Sequence, residues 1–426
     1  HKFRAMINPA INPTCGSVLF ISRHGAYGSA MQPSERTSNQ TSADTVFRSS
    51  PVDTHTVLNQ PPPLVDYDVF GSDTALVEAA ALFGSEEAAP ALSKLGNLAS
   101  SEQVQQWAVE ADTYTPVLRA HDRYGRRVDE VDFHPAWHAL MNEAVSAGLH
   151  AAPWASADPS AHVTRAAGFL TWYQSEAGHG CPISMTYAAV PALNVDPVVA
   201  ADWVPGLTSS TYDFGLRSPA SKAGLIAGMS MTEKQGGSDV RTNTTTATPI
   251  PGEPGAYTLD GHKWFCSAPM SDLFLVLGQT EGGLTCFVVP RVLADGTRNV
   301  FRIQRLKEKL GNRSNASSEI EFSNTWAQRL GDEGRGVKTI VEMVSATRLD
   351  CVLGSTALMR KALSEAIWHT EHRAAFGKQL IDQPLMRQVL ADLAIEVEAA
   401  TWLSMRLAAA TDRAVGAAPG ADAEHE

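Results

Sequence analysis

Hydrophobic positions follow three successive patterns along the chain. Over residues 54–227, apolar side chains recur every three or four positions, as at Val163 and Ala166, which predicts α-helices. Residues 228–330 carry short β-branched and aromatic runs bounded by Gly and Pro, which predicts strands. The helical period returns over residues 331–426. This order predicts an α+β chain of three domains with these boundaries.

Both ends of the chain depart from these patterns. Residues 1–53 begin with His1 instead of Met and include a stretch rich in Ser, Thr, Asn and Pro. Such composition buries too little apolar surface to offset the entropy lost on ordering. We therefore expect a disordered or non-native N-terminal extension. The segment Gly416–Glu426 is small, polar and acidic, and we expect a loop or frayed end there.

Charge and cysteine content narrow the class of protein. The formal net charge of −12 argues against binding nucleic acid by broad electrostatic attraction. The five cysteines are scattered and lack C-x-x-C spacing, which is typical of reduced thiols in the cytoplasm. No apolar run approaches the roughly 20 residues that span a bilayer. We expect a soluble, cytoplasmic protein without membrane contact.

Clusters of basic and histidine residues have ordinary explanations that compete with functional ones. The most basic part of the β region contains Arg302, Arg305, Lys307, Lys309 and Arg313. Such a cluster most often belongs to a solvated loop, and the alternative is a surface that faces a phosphate group. His134 with His138, and His369 with His372, have spacings that occur in metal sites. No further ligand accompanies either pair, so we predict no metal site.

A turn rich in glycine and hydroxyl residues lies within Gly228–Asp239. The pair Gly236-Gly237 lacks Cβ atoms, so the backbone can approach a phosphate closely. Ser238 offers a hydroxyl, and Thr232 offers a donor or acceptor to a polar ring edge. Taken alone, this segment is more typical of a surface turn than of a binding site.

A second segment, Gly261–Ser267, shifts that balance. It follows a strand-like run and contains Trp264, Phe265 and the hydroxyl of Ser267. One strand would end in a polar turn and the other would carry an aromatic pair. Together they could form one wall of a site for a flat aromatic cofactor.

Four short motifs then occur in the order typical of one enzyme family. They are Met-Thr-Glu-Lys-Gln-Gly-Gly-Ser-Asp at 231–239, Gly-His-Lys-Trp-Phe at 261–265, Lys-Leu-Gly-Asn-Arg-Ser at 309–314 and Arg-Ala-Ala-Phe-Gly-Lys at 373–378. In these motifs the chain resembles the acyl-CoA dehydrogenase family. The residues within these motifs most resemble those of the AidB-like branch, which belongs to the bacterial response to DNA alkylation.

The resemblance runs from about Thr54 to the end and implies a fold. That fold has an N-terminal α-helical domain, a middle β-barrel and a C-terminal helical bundle, which is incomplete in this chain. We expect at least about five strands between Gly228 and Leu330.

The resemblance also implies FAD as cofactor. Residues 229–232 would lie along the isoalloxazine ring, and residues 264–267 would cover its other side near N5. Gly237 and Ser238 would meet the pyrophosphate, and a further group would contact FAD across a dimer interface. The implied cofactor-binding residues are Met229, Ser230, Met231, Thr232, Gly237, Ser238, Trp264, Phe265, Cys266, Ser267, Arg373, Phe376 and Gln383.

A catalytic base is not recognisable in the sequence. Most relatives carry a Glu in a C-terminal motif, and this chain ends at Glu426 before such a motif. Others place a Glu directly before an Arg-Leu pair, but here Thr347 precedes Arg348. Asp350 and Glu342 are conceivable substitutes to which nothing specific points. We therefore assign no catalytic residue, expect weak activity from this chain, and assign Arg348 to substrate contact.

Two functions follow from the resemblance. The first is a flavoenzyme that desaturates acyl-CoA or a related small molecule. The second is a DNA-associated protective flavoprotein with vestigial or no dehydrogenase activity, in which the full-length protein would contact DNA. The resemblance also implies a homodimer or homotetramer. A helical protein without a cofactor would require all four motif matches to be accidental.

Overall fold

The computed structural model describes residues 54–416. The predictions made for residues 1–53 and for the segment after Gly416 lie outside these residues. The chain divides into two compact units, residues 1–58 and residues 59–426, and every helix and strand described belongs to the second.

Helices and strands follow the order that the hydrophobic pattern predicts, with one exception among the helices. The α-helices are α1 (Thr74–Phe83), α2 (Ala89–Ala99), α3 (Glu102–Thr113), α4 (Pro135–Ser146), α5 (Ala161–Trp172), α6 (Gly180–Leu193), α7 (Pro197–Leu207), α8 (Gly336–His372) and α9 (Pro384–Gly416). The strands are β1 (Val117–His121), β2 (Arg127–Asp132), β3 (Ala227–Ser230), β4 (Thr246–Pro249), β5 (Ala256–Ser267), β6 (Leu273–Thr280), β7 (Gly283–Pro290), β8 (Arg302–Leu306), β9 (Ser317–Leu330), β10 (Ala374–Ala375) and β11 (Lys378–Gln379).

The exception is the antiparallel hairpin of β1 and β2, which lies in a region predicted to be helical throughout. Its turn contains Gly125 at φ +77°, a left-handed conformation that glycine adopts readily. The apolar residues of β1 include two consecutive positions, and the two valines of the mostly charged β2 are three positions apart, so neither strand shows a period of two. Contact with the barrel supplies the missing stabilisation: Val131 joins the barrel core, and Arg127 Nη2 donates to the Ile303 carbonyl at 2.8 Å.

The N-terminal helices pack around α5 and α6, which are buried over most of their surface. Gly168 permits this packing, because a Cβ there would lie 2.8 Å from a Leu149 methyl group. Another element caps α5: Asp412 of α9 accepts hydrogen bonds from the amides of His162 and Val163, both at 2.9 Å. The cap fixes the end of α9 to the N-terminal helices.

The middle strands form a closed barrel. Strand β6 pairs with β7, β7 with β9, β9 with β5, β5 with β4, and β4 with β6, which completes a ring. Strand β3 runs parallel to β6, and β8 is antiparallel to β9, giving a seven-stranded sheet. Phe274, Phe287 and Ile320 fill the interior. The predicted β-barrel is confirmed.

Two long helices follow the barrel, as the returning helical period predicted. Helix α8 has 37 residues and α9 has 33, and they pack against each other and against the N-terminal helices. Large apolar side chains of α9 remain exposed, including Leu385, Leu393 and Ile395. Among the helices of residues 54–416, none combines the length and apolar content needed to cross a membrane.

Candidate functional site

The first two motifs meet side by side at one end of the barrel. The segment after β3 runs along β5, since Trp264 N donates to the Thr232 carbonyl at 2.8 Å. Ser230 Oγ donates to the Phe265 carbonyl at 3.1 Å, and Asn243 Nδ2 holds the Met231 carbonyl at 2.8 Å. The polar turn and the aromatic pair therefore form one continuous surface.

A buried ion pair holds this surface in place. Glu233 and Lys263 are fully buried, and their Oε1 and Nζ atoms are 2.8 Å apart. Thr244 and Thr245 donate further hydrogen bonds to Glu233, and Lys263 Nζ donates to the Leu277 carbonyl. Burial opposes ionisation of Glu233, but these donors, Lys263 above all, lower its pKa. Burial lowers the pKa of Lys263, and Glu233 offsets part of that effect.

Side chains alternate between open and buried along the two motifs. Thr232 and Trp264 are partly exposed, and the Phe265 side chain is 50% exposed. Ser230 and Cys266 point into the protein, and with 1% and 0% exposure of the whole residue they offer little to a ligand on this surface. The other predicted residues of the two segments are partly or fully exposed, namely Met229, Met231, Gly237, Ser238 and Ser267.

The turn at Gly237 packs directly onto Thr232. A Cβ at Gly237 would lie 2.5 Å from Thr232 Oγ1, so the close approach requires glycine. Ser238 follows in the exposed part of the turn. The structure thus brings the hydroxyls of Thr232 and Ser238 and an open glycine backbone to one place, which suits a phosphate-bearing ligand.

Polar side chains from three elements form a second wall beside Ser267. Ser267 Oγ lies 3.3 Å from Ser317 Oγ, and Lys309 Nζ lies 3.4 Å from the same Ser317 atom. Burial raises the pKa of the Cys181 thiol, although hydrogen bonds with Asn315 and Ser267 offset part of this rise. Asn315 Oδ1 is buried and has no hydrogen-bond partner among residues 54–416. An unsatisfied buried acceptor fits a ligand with a polar edge.

Glu176 connects the helical region to this second wall. Its Oε1 accepts from Ser314 Oγ and Gly178 N, both at 2.7 Å, and its Oε2 accepts from His179 Nδ1 at 2.8 Å. Burial opposes ionisation, but the His179 and Ser314 hydrogen bonds hold the pKa of Glu176 at about 2. The Trp172 indole can only donate, and it donates to His179 Nε2 at 2.7 Å. His179 therefore bridges the Trp172 indole and the Glu176 carboxylate through its two ring nitrogens.

Two of the five residues in the basic cluster of the β region are paired with a carboxylate. Arg305 Nε and Lys307 Nζ both bind Glu319, at 2.8 and 3.0 Å. Lys307 Nζ also lies 3.7 Å from the centre of the Trp264 ring. Lys309 donates to the Asn315 carbonyl. This pairing favours a structural role for Arg305 and Lys307 over a free phosphate-facing surface.

The carboxylates raised as substitute bases are placed elsewhere or already bound. Asp350 is buried and held bidentately by the guanidinium of Arg165, with Nη2 at 2.7 Å from Oδ2. Glu342 is exposed on α8. Thr347 Oγ1 donates to the Val344 carbonyl at 2.8 Å. Arg348 is exposed on the same helix.

Arg373, Phe376 and Gln383 form a separate group at the α8–α9 connection. Phe376 is 99% exposed and adopts φ +54°, and Gly377 follows at φ +77° in the turn between β10 and β11. Gln383 Nε2 donates to the Ala375 carbonyl at 3.2 Å, and Arg373 Nη1 to Asn59 O at 2.8 Å. No hydrogen bond or ring contact within residues 54–416 joins these three residues to the barrel group.

Several residues that build the site were not assigned from the sequence. Glu233 and Lys263 lie inside two of the four motifs and carry opposite charges, which is a sequence signal for an ion pair between the two segments. Glu176, Cys181 and Asn315 carried no such signal, because distant segments bring them together. Among the described residues, no three His, Cys, Asp or Glu side chains cluster to hold a metal.

Comparison with known proteins identifies the family. Three family models match in order: the adaptive response protein AidB N-terminal domain at residues 59–214, the acyl-CoA dehydrogenase middle domain at 228–325 and the acyl-CoA dehydrogenase C-terminal domain at 334–424. AidB of Escherichia coli (strain K12) is 48% identical over 362 residues, which are 84% of this chain. The chain belongs to the acyl-CoA dehydrogenase family, in its AidB-like branch.

Other members extend this relation at lower identity. The acyl-CoA dehydrogenase family member 11 of Caenorhabditis elegans is 30% identical over 73% of the chain. The solved structure of Bd2924 in its apo form has a TM-score of 0.78 and 31% identity, and covers 85% of this chain and 73% of its own. Caenorhabditis elegans ACDH-11, solved with C11-CoA, has a TM-score of 0.77 and 25% identity, with 88% and 64% coverage. The chain spans 66% of the length of the E. coli relative and 52% of the C. elegans relative.

Proposed function

We propose that this acyl-CoA dehydrogenase family member binds FAD and oxidises acyl-CoA thioesters, or related small molecules, by α,β-dehydrogenation. The observation that carries the proposal is the surface joined by the hydrogen bond from Trp264 N to the Thr232 carbonyl, with exposed Phe265 beside it. That surface offers hydroxyls and an aromatic face, and the second wall carries the buried, unsatisfied oxygen of Asn315. FAD, when bound, would supply the hydride acceptor.

Different residues of the site would bind different parts of FAD. Thr232 and Ser267 would bond the polar edge of the ring system, and the exposed face of Phe265 would pack against it. Gly237 and Ser238 would hold the pyrophosphate through backbone and hydroxyl groups. Arg373, Phe376 and Gln383 would complete the site of a neighbouring copy in a dimer or tetramer, because the described contacts leave them apart from the barrel group.

Proton removal is the step that the described site supports least. Glu176 already accepts hydrogen bonds from Ser314, Gly178 and His179, and Asp350 is held by Arg165. Neither carboxylate is free to take a proton from a substrate. General-base catalysis typically contributes about 10²–10⁴-fold to rate. We therefore expect the chain of residues 1–426 to turn over acyl-CoA slowly.

The acyl-CoA class is supported by a relative. The ACDH-11 structure, which shares the fold at a TM-score of 0.77, is described as a complex with C11-CoA. The alternative, a DNA-associated protective flavoprotein of the alkylation response, is supported by the AidB-like N-terminal match. The net charge of −12 and the pairing of Arg305 and Lys307 with Glu319 weigh against DNA contact through the described residues.

Flavin titration of the purified protein tests the proposal. Apoprotein titrated with FAD should quench flavin fluorescence with a saturable, one-site curve. Replacing Thr232 and Ser238 together by Ala should weaken binding, whereas Ser323→Ala on the far part of β9 should not. Unchanged FAD affinity in the double variant would overturn the assignment of these hydroxyls. Anaerobic addition of butyryl-CoA should bleach the flavin slowly, and a rate typical of efficient dehydrogenases would refute the argument about the base.

A further inference from the structure

A cavity of about 870 Å³ lies away from the two cofactor motifs. It is bounded by α7, by the loop of residues 219–225 and by the ends of β7 and β9. None of the predicted cofactor or substrate residues lines it. Its size falls within the roughly 300–1,000 Å³ of small-molecule sites.

The walls are mainly apolar and include two indoles. Trp203 of α7 and Trp326 of β9 are both only partly buried, and Leu225 and Val292 complete the apolar lining. Neither indole N–H has a hydrogen-bond partner within residues 54–416. The two rings make no direct ring contact with each other, so the space between their elements stays open.

A rigid and electrically neutral floor lies beneath these walls. Lys222 Nζ binds Asp272 Oδ1 at 2.5 Å, and both side chains are almost fully buried. The other Asp272 oxygen accepts from Ile226 N at 2.9 Å. Gly206 lets the loop approach α7, because a Cβ there would lie 2.6 Å from Leu225 Cδ1. The cavity is therefore shaped by fixed backbone and a satisfied ion pair.

The mouth of the cavity carries uncompensated negative charge. Asp202 on α7 and Asp295 in the turn after β7 both line it and are exposed. Neither forms an ion pair with the described residues, although Asp295 Oδ1 accepts a hydrogen bond from Thr297 N at 2.8 Å. Lys222, the only cation in the lining, is already paired with Asp272. Two carboxylates beside aromatic faces favour a cation over a neutral or anionic ligand.

We infer that this cavity is a second ligand site for a small organic cation with an apolar or aromatic body. It is separate from the surface formed by residues 229–238 and 264–267, here called the cofactor surface. The apolar part would lie against Trp203 and Trp326, and the positive group would face Asp202 and Asp295. The inference does not depend on FAD binding or on dehydrogenase activity.

Fluorine NMR of the full chain, labelled with 5-fluorotryptophan, tests this inference. Trp203→Phe and Trp326→Phe variants assign the two resonances, and benzyltrimethylammonium is the probe. We expect both resonances to shift in a saturable manner while the other tryptophans stay unchanged. Benzyl alcohol and benzoate, which lack the positive charge, should bind about tenfold more weakly.

Charge-removing variants complete the test. Asp202→Asn with Asp295→Asn should weaken the probe by about tenfold without changing the melting temperature. Asp392→Asn, an exposed aspartate of α9 outside the cavity, should have no effect. No shift at millimolar probe, including the case of a cavity filled by another part of the chain, would overturn the inference. So would equal binding of benzyl alcohol, or an unchanged affinity in the double variant.

Discussion

The pair of Glu233 and Lys263 gives the sharpest test of how the cofactor surface is held. Replacing Lys263 by Met removes the ammonium group while keeping an unbranched side chain. Glu233 would then remain as a fully buried carboxylate without its counter-ion. Breaking a buried pair from one side typically costs about 3–5 kcal/mol.

The structure places the expected cost near the lower end of that range. Glu233 keeps strong donors, including Thr244 N at 2.7 Å and Thr245 Oγ1 at 2.6 Å. The carbonyl of Leu277 loses its bond from Lys263, which adds about 1 kcal/mol. We expect Lys263→Met to lower the free energy of unfolding by about 3–4 kcal/mol.

Opposite pH dependences separate charge from packing. The pKa of Glu233 is lowered in the native pair, so the stabilisation is fully present above the unfolded pKa and is lost only in stronger acid. In Lys263→Met the unpaired carboxyl favours protonation, so its deficit should shrink as pH falls from about 7 to about 5. In Glu233→Gln the unpaired Lys263 favours its neutral form, so that deficit should shrink as pH rises from about 7 to about 9.

Urea unfolding followed by circular dichroism at several pH values measures these deficits. Arg305→Met is the matched control in the same barrel, because the Arg305 side chain is 65% exposed and should cost less than about 1 kcal/mol. A loss in Lys263→Met no larger than the control would refute the burial argument. Deficits that stay equal at every pH in both variants would show that the pair acts through packing.

Three further predictions concern the helical region. Glu176→Gln places an amide N–H against the donors that now bind the carboxylate, so FAD affinity measured by flavin titration should fall. Adding Ser314→Ala to this variant should lower the affinity little further. Asp412→Ala removes the cap of α5 and should lower unfolding free energy by about 1 kcal/mol, with Asp412→Asn losing less. Burial lowers the pKa of His150 and His162 to about 4, so stability should fall between about pH 6.5 and pH 4, by up to about 3 kcal/mol for each.

Each of these predictions has a result that would contradict it. Independent, additive losses from Glu176→Gln and Ser314→Ala would show that the two residues do not act together. Equal stability of the Asp412 variants would contradict the capping role. His150→Gln with His162→Asn preserves the bonding nitrogens and should flatten the pH profile measured by urea unfolding; an unchanged slope would exclude these histidines as its cause.

The barrel and the long helices were predictable because their signals are local. Alternation along β5 and β9, and the three-to-four-residue period of α8, reflect faces that neighbouring residues share. The β1–β2 hairpin was not predictable in this way. Neither strand shows a clear period of two, and the hairpin is stabilised by contacts with Ile303, which lies far away in the sequence.

The cofactor surface was predictable only as far as its motifs reach. Thr232 and Phe265 were assigned from the motifs, and the structure brings their segments together. Glu176 could not be assigned, because its role depends on Ser314, which lies 138 residues away. A hydrogen-bond network between distant segments does not produce a repeating pattern of residues in the sequence of either segment.

Adjacent residues in these motifs have different physical roles. Thr232 is partly exposed, whereas Glu233 is fully buried; Lys263 is buried, whereas Trp264 is partly exposed. A single motif therefore contains both residues that could contact a ligand and residues that only hold the backbone in place. Loss of FAD binding in a motif variant does not by itself distinguish the two. The distinction requires a property that only the buried pair has, and the opposite pH responses of Lys263→Met and Glu233→Gln supply it.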